Sequence, residues 1–516
     1  MKKVIETTLL PEQAASTETI KAHLKRNFGF GSDLQGFIIR KKSLDARRKP
    51  VRVNLQVEVF LNENPTDDHF DLDLKDVSKA KPVAIVGAGP AGLFAALRLI
   101  ELGLKPVIFE RGKKVRERRR DLAQITRNNA VDPDSNYCFG EGGAGTYSDG
   151  KLYTRSSKRG DVNRILKILV KHGAEDNILY EAHPHIGTNK LPQIITQIRE
   201  NIIACGGEVH FNSRVTDIEI VDNAIKGLRV GETFFGASSL ILATGHSARD
   251  IYELLHQKGV LIEAKPFALG VRVEHPQELI DKIQYKCEGH RSEFLPAASY
   301  SLVHQAGDRG VFSFCMCPGG IIAPAMTAPG EIVVNGWSPS KRNNPYANSG
   351  MVVSVRTEDY KEYMQHGALA GMYFQQMVEQ RCFEMGNKSL QAPAQRVSDF
   401  IRGKTSSTLP KNSYLPGTVS RNLHEILPPF IGKSLREGFE AFGKKMRGYV
   451  TEDALILGTE SRTSSPVRIP RNKETFEHPQ VKGLFPCAEG AGYAGGIVSA
   501  AMDGENCANA LALAFH

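Results

Sequence analysis

A glycine-rich turn between an apolar strand and an apolar helix constrains this chain more than any other feature. The turn is Gly87-Ala-Gly-Pro-Ala-Gly92, and it joins a predicted strand at Val83-Ala-Ile-Val86 to a predicted helix over Leu93 to Leu102. Glycines at its first, third and sixth positions permit a tight turn, a close backbone approach to a pyrophosphate, and close packing of the helix on the strand. The pattern therefore predicts a dinucleotide-binding turn whose contacts are Gly87, Gly89, Pro90, Ala91 and Gly92.

The next predicted strand, Val107-Ile-Phe109, ends in the acidic residue Glu110. A carboxylate about 20 residues beyond such a turn accepts both hydroxyls of the adenosine ribose and disfavours a 2′-phosphate. The N-terminus of the helix adds free N–H groups and a partial positive charge for the phosphates. We expect Arg111 and, further along the chain, Val215 to lie at the same site.

Length and composition indicate a soluble protein of several domains. A chain of 516 residues is too long for one compact core, so two or three domains are expected. Apolar residues make up 41% and charged residues 24%, values typical of globular proteins. The N-terminal MKKVIETTLLPEQ lacks the apolar stretch of a signal peptide, so a cytoplasmic location is expected. No apolar run has the length of a membrane helix.

Charge and cysteine content limit the partners. The formal charge of +9 favours anionic partners, among them a phosphate-bearing cofactor, tRNA or a membrane surface. The eight cysteines are too scattered for a disulfide framework, and no His and Cys spacing indicates a metal site. We expect a small-molecule substrate, with neither a membrane nor a stable nucleic-acid partner.

The first 79 residues are predicted to form a small α+β module. A helix is expected near Glu18 to Lys25, and a strand is expected where apolar residues alternate from Val51 to Val59. A polar stretch that begins at Asn62-Glu-Asn-Pro-Thr-Asp-Asp68 is typical of a linker.

The rest of the chain is predicted to be α/β, with one domain inserted in another. Strands and helices alternate in 80–265 and again in 450–516, which predicts a Rossmann-like domain with a parallel sheet. Residues 266–449 are richer in strands and contain a helical stretch from about Glu358 to Glu384, which predicts an inserted mixed α+β substrate domain.

Three further glycine-rich segments bear on the cofactor. The first, Gly140 to Leu152, allows close approach of backbone to a planar ligand, although such a stretch is also typical of a flexible surface loop. The second, Ser239 to His246, is an apolar strand that ends in Ala-Thr-Gly. The third, Gly483 to Ile497, is a strand and a glycine-rich turn before a C-terminal helix.

These segments resemble the glutathione reductase type of flavoprotein fold, which implies FAD as the cofactor. In that fold an Ala-Thr-Gly strand precedes a late acidic residue that binds the flavin ribitol, and this chain has Glu489 at the acid's place. The resemblance also implies a helix from about Ile497 that stabilises negative charge on the reduced flavin. The further flavin contacts implied here are Gly143, Gly145, Ser148, Gly150, Lys151, Thr244, Gly245, Gly490 and Gly496.

The chain as a whole closely resembles a bacterial family of uncharacterised FAD-dependent dehydrogenases. The resemblance rests on four segments: Glu141 to Leu152, Gly270-Val-Arg-Val-Glu-His-Pro276, Phe314-Cys-Met-Cys-Pro-Gly-Gly320 and Glu460-Ser-Arg-Thr-Ser-Ser-Pro-Val-Arg468. It implies an oxidoreductase without naming a reaction.

Two absences separate the chain from disulfide reductases of this fold. No second nucleotide-binding domain with its own Gly-x-Gly-x-x-Gly turn is expected, and the sequence has no Cys-x-x-Cys or Cys-x4-Cys pair near the first turn. The inserted domain instead resembles the substrate caps of fumarate reductase-like and hydroxylase-like flavoenzymes. NADH or NADPH is expected, if at all, as a transient electron donor or acceptor.

The catalytic candidates are Arg462, Cys317 and His246. Arg462 and Arg468 flank a short segment and are candidates to clamp a carboxylate or phosphate, the alternative being structural ion pairs. Cys315 and Cys317 would project to one side of a strand, as a redox pair, a flavin-facing thiol or packing residues. His246 and Arg249 follow the Ala-Thr-Gly strand end, near the expected cofactor.

We expect an FAD-dependent dehydrogenase or reductase that acts on a small, anionic molecule by hydride transfer at the flavin N5. Two other classes stay open. A flavoprotein associated with tRNA or another nucleic acid would need a basic patch with exposed aromatic residues. A non-enzymatic flavin-binding protein would lack an accessible pocket above the flavin ring.

Overall fold

The computed structural model of the protein describes residues 1–66, 70–154 and 157–515. Within these ranges the chain is a mixed α/β protein with a small N-terminal sheet, a parallel sheet and a larger mixed sheet. None of the helices in the described ranges has the length and apolarity needed to span a bilayer. The predicted linker is described as far as Thr66, and its residues Asp67 and Asp68 lie outside the described ranges.

The N-terminal module is a three-stranded antiparallel sheet with one helix, in the order β1-β3-β2. Its elements are β1 Lys2–Leu9, α1 Thr17–Phe28, β2 Leu34–Asp45 and β3 Arg52–Leu61. Ser16 caps the N-terminus of α1 by accepting the Thr19 N–H, and Gly29 ends the helix in a left-handed conformation. The predicted helix and the alternating strand are both present, because one face of each packs into a shared core.

The parallel sheet has five strands in the order β22-β10-β4-β5-β6, all parallel. Its strands are β4 Pro82–Val86, β5 Lys105–Phe109, β6 Glu208–His210, β10 Leu240–Leu242 and β22 Leu484–Pro486. An antiparallel meander lies between β6 and β10 in the chain: β7 Val215–Val221, β8 Ala224–Val230 and β9 Thr233–Gly236.

The helices that accompany the parallel sheet are α2 Pro90–Glu101, α3 Val115–Asn128, α4 Val162–Lys171, α5 Leu191–Ala204, α6 Arg249–Gln257 and α11 Ile497–Leu513. The apolar faces of α2, α4, α5 and α11 form one core with β4 and β5, whereas α6 packs into a separate core and α3 packs into the core of the mixed sheet. Helix α2 begins at Pro90 rather than Leu93, because proline has no N–H to lose at the first turn of a helix. Helices α2 and α11 pack closely: a Cβ on Gly504 would lie 2.1 Å from the carbonyl oxygen of Ala91.

The mixed sheet has seven strands in the order β13-β14-β17-β12-β20-β18-β19. Its strands are β12 Phe267–Pro276, β13 Val303–Ala306, β14 Arg309–Cys317, β17 Tyr346–Val355, β18 Ala392–Arg396, β19 Thr418–Ser420 and β20 Leu455–Glu460. The remaining elements of this region are α7 Gln277–Tyr285, a hairpin of β15 Ile321–Pro324 and β16 Val334–Trp337, α8 Ala370–Met385, α9 Val397–Arg402 and α10 Pro429–Lys445.

Two expectations for this region need correction. Residues 450–460 were assigned to the parallel-sheet domain, but β20 pairs with β12 and β18 of the mixed sheet. The helical stretch predicted from Glu358 to Glu384 is broken, because Gly367 adopts a φ of 56° within the 3-10 segment Thr357–Leu369 that precedes α8.

The chain passes from one large sheet to the other through a pair of short strands. Strand β11, Glu263–Ala264, leads into the mixed sheet, and β21, Val467–Arg468, leads out of it. They pair antiparallel, so the outgoing and returning segments lie side by side next to the parallel sheet. This arrangement brings the mixed sheet against the carboxyl ends of the parallel strands.

Candidate active site

The glycine-rich turn between β4 and α2 has the geometry that its sequence predicts. Gly87 has a φ of 105°, and a Cβ there would lie 2.7 Å from the carbonyl oxygen of Ala243 on the neighbouring strand. A Cβ on Gly92 would lie 2.0 Å from the carbonyl oxygen of Gly87, so a side chain would force the helix off the turn. Gly89 differs, because a Cβ there would have no protein atom within 4 Å. The turn therefore presents Gly89 to open space beside the first turn of α2.

Glu110 joins three segments of backbone at the end of β5. One carboxylate oxygen accepts the Ala88 N–H at 2.9 Å, and the other accepts the Gly112 and Gly140 N–H groups at 2.9 Å each. The residue is only 5% exposed, yet its carboxylate borders the cavity described below. Because an ionised carboxylate has about four lone-pair positions, three backbone bonds leave room for a further donor such as a ribose hydroxyl.

The segment from Gly140 to Leu152 packs against the glycine-rich turn between β4 and α2, so it is not a flexible surface loop. The Gly142 N–H donates to the carbonyl of Ala88 at 2.8 Å, and a Cβ on Gly143 would lie 3.2 Å from the Cα of Gly89. Arg118, fully buried on α3, donates to the carbonyl of Glu141 at 2.8 Å. Glycines are needed here because backbone meets backbone.

These segments enclose a cavity of about 350 Å³ between the two large sheets. Of the residues predicted to contact the cofactor, those that line it are Gly87, Gly89, Pro90, Ala91, Glu110, Arg111, Gly143, Gly145, Ser148, Gly150, Lys151, Val215, Thr244, Gly245, Glu489, Gly496 and Ile497. Gly92 and Gly490 do not line it. They hold its walls together, since a Cβ on Gly490 would lie 1.9 Å from the carbonyl oxygen of Thr244.

The opposite wall of the cavity comes from the mixed sheet. Phe314 and Cys315 of β14 and all four residues of β16, Val334 to Trp337, line it there. Sequence reasoning missed the β16 residues, because nothing in the pattern around Trp337 distinguishes a cavity wall from an ordinary strand.

Cys315 and Cys317 lie beside Lys151 in this wall. The Lys151 ammonium nitrogen is 3.7 Å from each of the two sulfurs, and it is also 3.7 Å from a carboxylate oxygen of Asp149. Cys315 borders the cavity, whereas Cys317 is fully buried. The predicted regular strand is interrupted here: the pairing of β14 with β17 shifts between Phe314 and Cys317, and Cys315 has a φ of 45°.

A buried arginine completes this cluster. Arg272 donates to the Cys315 carbonyl at 2.8 Å and lies 3.5 Å from the Cys317 sulfur, while Glu460 pairs with its guanidinium at 2.8 Å. A hydrogen bond from Cys317, aided by the charges of Lys151 and Arg272 and opposed by burial, holds the pKa of the Cys315 thiol well below its usual range. The same hydrogen bond and burial raise the pKa of the Cys317 thiol.

The two arginines predicted to clamp an anion do not act together. Arg462 lines the cavity, but its guanidinium donates to Glu379 and Glu331 at 3.0 and 2.8 Å, with its side chain only 5% exposed. Arg468 is exposed at the surface and stacks over Tyr493. Since Arg462 is neutralised by two buried carboxylates, the geometry favours the structural ion pair over the clamp. Arg249 belongs to the same network, 2.9 Å from Glu379.

His246 lies between two acceptors at the edge of the cavity. Its Nε2 is 3.2 Å from the carbonyl oxygen of Arg462, and its Nδ1 is 3.4 Å from a carboxylate oxygen of Glu489. A carbonyl oxygen only accepts, so Nε2 carries the hydrogen and Nδ1 faces Glu489.

A second cluster of potential ligand atoms lies between the end of β22 and helix α11. Cys487, Asp503 and Cys507 place their ligand atoms within 4.8 Å of one another. Arg471 already pairs with Asp503 at 2.6 Å and lies 3.5 Å from the Cys507 sulfur. A guanidinium in this position does not favour a metal cation there.

Comparison with known proteins supports the flavoprotein interpretation. Residues 266–463 match the family "FAD-dependent protein, C-terminal domain-like", and residues 1–60 match a domain of unknown function (DUF8436). The first match begins just before β12 and ends just after β20, so it spans the mixed sheet.

Among solved structures the similarity is distant. CtdE in complex with FAD is 12% identical, with 84% of this chain and 85% of that chain covered and a TM-score of 0.33. Glycine oxidase from Bacillus cereus ATCC 14579 is 14% identical, with 83% and 96% covered and a TM-score of 0.31. An oxidoreductase from Methanosarcina mazei is 12% identical, with 82% and 98% covered and a TM-score of 0.32.

A protein of Clostridium beijerinckii (strain ATCC 51743 / NCIMB 8052), named only as an uncharacterized protein, is 42% identical over 494 residues. The alignment covers 92% of this chain and 91% of the Clostridium protein. The chain therefore belongs to the same family as this Clostridium protein.

Proposed function

We propose that this protein is an FAD-dependent oxidoreductase of the glutathione reductase type of fold, which acts on a small molecule in the cavity between its two large sheets. One observation carries the proposal. A single cavity joins the open face of Gly89, the carboxylate of Glu110 and the N-terminus of α11 to the thiol of Cys315. A cofactor held by the first three features would extend toward the mixed sheet.

The residues present fit FAD. Gly89 leaves space where a pyrophosphate would meet the first turn of α2, and Glu110 keeps a free acceptor position for the ribose. Arg111 and Val215 line the same end of the cavity. At the other end Gly496 and Ile497 begin α11, whose N-terminus favours negative charge on a reduced flavin ring.

FAD, when bound, would supply the hydride or electron chemistry. The chain's own residues would bind the cofactor and the substrate, orient them, and exchange a proton. His246 would serve the last task, because its Nε2 donates to the Arg462 carbonyl while its Nδ1 lies 3.4 Å from a carboxylate oxygen of Glu489. Trp337 and Phe314 wall the cavity on the mixed-sheet side and would exclude water from a substrate.

An enzymatic role is favoured over passive flavin binding because the cavity continues beyond the cofactor turn to the mixed sheet. A pyridine nucleotide, if used, would bind transiently. The described ranges hold one five-stranded parallel sheet, and its cofactor turn lies between β4 and α2.

A visible spectrum of the purified protein tests the proposal. We expect the absorption of oxidised flavin and about one FAD released per chain on denaturation. Anaerobic addition of NADH or NADPH then shows whether either nucleotide bleaches the flavin band. A colourless protein that takes up no added FAD would contradict the proposed function.

A further inference from the structure

Two thiols of the mixed sheet lie beside one ammonium group, at a bend in strand β14. Residues i and i+2 of an extended strand project to the same side of the sheet. Here the left-handed φ of Cys315 and the shift in pairing bend the strand, and both sulfurs lie 3.7 Å from the Lys151 ammonium nitrogen. The Cys317 thiol also lies 3.3 Å from the Cys315 carbonyl oxygen. A non-glycine residue in this conformation is typical of functional sites.

Two cations make the pair suited to a thiolate. Lys151 is 3.7 Å from both sulfurs, and Arg272 is 3.5 Å from that of Cys317. Glu460 and Asp149 oppose these charges, and Arg342 pairs with Asp149 at 2.6 Å, so the cluster is neutral when one thiol is ionised. An ionised thiol beside a neutral one is the arrangement that attacks and forms disulfides.

Access divides the roles of the two cysteines. Cys315 borders the cavity, together with Lys151 and the cofactor turn, and Cys317 is buried directly behind it. Cys138 also borders the cavity, but the neighbours of its sulfur are the Ala325 carbonyl and the Ser247 hydroxyl. The pair is therefore distinguished from the other cavity thiol by its neighbours as well as by its partner.

We propose that Cys315 and Cys317 are a redox-active dithiol that exchanges two electrons with the FAD; the inference rests on the proposed function. In the oxidising direction the Cys315 thiolate and the Cys317 thiol form one S–S bond and break one S–H bond. They release two electrons and one proton, all of which pass to oxidised FAD and convert it to the anionic reduced form. The reverse step cleaves the disulfide, and Lys151 then faces the thiolate that is regenerated.

Electron counting on the holoenzyme tests this proposal. The protein is first assayed for bound FAD, oxidised with glutathione disulfide, freed of it, and titrated anaerobically with dithionite. We expect the wild type to take up about four electrons per FAD, two for the flavin and two for the disulfide. Cys315→Ser and Cys317→Ser should each take up about two, whereas Cys138→Ser, which keeps the pair, should still take up about four.

A measurement on the wild type alone guards against variants that fail to fold. In the oxidised protein the peptide that carries Cys315 and Cys317 should resist alkylation until it is reduced. A wild type that binds FAD, takes up about two electrons and alkylates freely at both cysteines would overturn this proposal and leave the proposed function intact. A protein that binds no FAD would overturn both.

Discussion

The ammonium nitrogen of Lys151 lies 3.7 Å from the sulfur of Cys315, although 164 residues separate the two in the chain. The lysine follows the glycine-dense segment that packs on the cofactor turn, and the cysteine belongs to the mixed sheet. Their contact is thus a direct electrostatic link between the two halves of the cavity.

Replacing Lys151 should make the Cys315 thiol less acidic. Its charge lowers the pKa of Cys315 together with the hydrogen bond from Cys317. In Lys151→Met the thiolate absorbance near 240 nm should therefore appear at higher pH than in the wild type, and Lys151→Arg should restore most of the shift. Cys315→Ser should lose this titration, which would assign the absorbance change to the Cys315 thiolate. An unchanged titration in Lys151→Met would mean that the lysine does not stabilise the thiolate.

Arg462 should behave as a structural residue. Its removal would leave the buried Glu331 and Glu379 with Arg249 as the cation that still pairs with both of them among the described residues, and breaking a buried ion pair costs about 3–5 kcal/mol. Urea unfolding of Arg462→Met should show a loss of this order, whereas Arg468→Met, at an exposed position, should change stability by less than about 0.5 kcal/mol. An Arg462→Met protein with wild-type stability and weakened substrate binding would instead support the hypothesis that Arg462 binds an anionic substrate.

Glu274 should make the protein less stable as the pH rises from about 4.5 to 7. Burial, opposed by hydrogen bonds from Ser413, raises the pKa of Glu274 to about 7, against an ordinary value of 4.5. Between these values the folded protein holds a proton that the unfolded chain has lost. The contribution of Glu274 to the free energy of unfolding is therefore fully present below the pKa of the unfolded chain. It is lost as the pH rises to the pKa of the folded protein, by about 1 kcal/mol per pH unit.

Urea midpoints at pH 5 and pH 7 check this dependence. Glu274→Gln should lose less stability across the interval than the wild type, because an amide cannot ionise. The exposed Glu474→Gln should follow the wild type. Equal pH dependence in wild type and Glu274→Gln would show that Glu274 ionises normally in the folded protein.

The local parts of the site could be predicted from the sequence, and the contacts between distant segments could not. The turn from Gly87 to Gly92 and the acidic strand end at Glu110 depend on neighbouring residues, so their pattern predicts their geometry. The Lys151 contact with Cys315 and the Arg462 network depend on how two sheets pack. A chain position alone does not tell whether an arginine such as Arg462 meets a substrate or two buried glutamates.

The domain limits show the same distinction. Strand β20 was assigned to the parallel-sheet domain because it precedes the late glycine-rich segment in the sequence, but its hydrogen-bond partners are β12 and β18. Strand pairing, which a strand's own residues specify weakly, decides to which sheet such a segment belongs.

The central claim, that FAD occupies the cavity beside the glycine-rich turn, is tested most directly by the FAD content of Gly89→Leu. Gly89 has a φ of −75°, and a Cβ there would have no protein atom within 4 Å, so a leucine fits the fold but fills the space for the pyrophosphate. Gly289→Leu is the matched control, since this glycine is equally open but lies at the exposed surface, outside the cavity lining. We predict that Gly89→Leu folds without FAD while Gly289→Leu keeps about one per chain; a Gly89→Leu protein that keeps its full FAD would contradict the account.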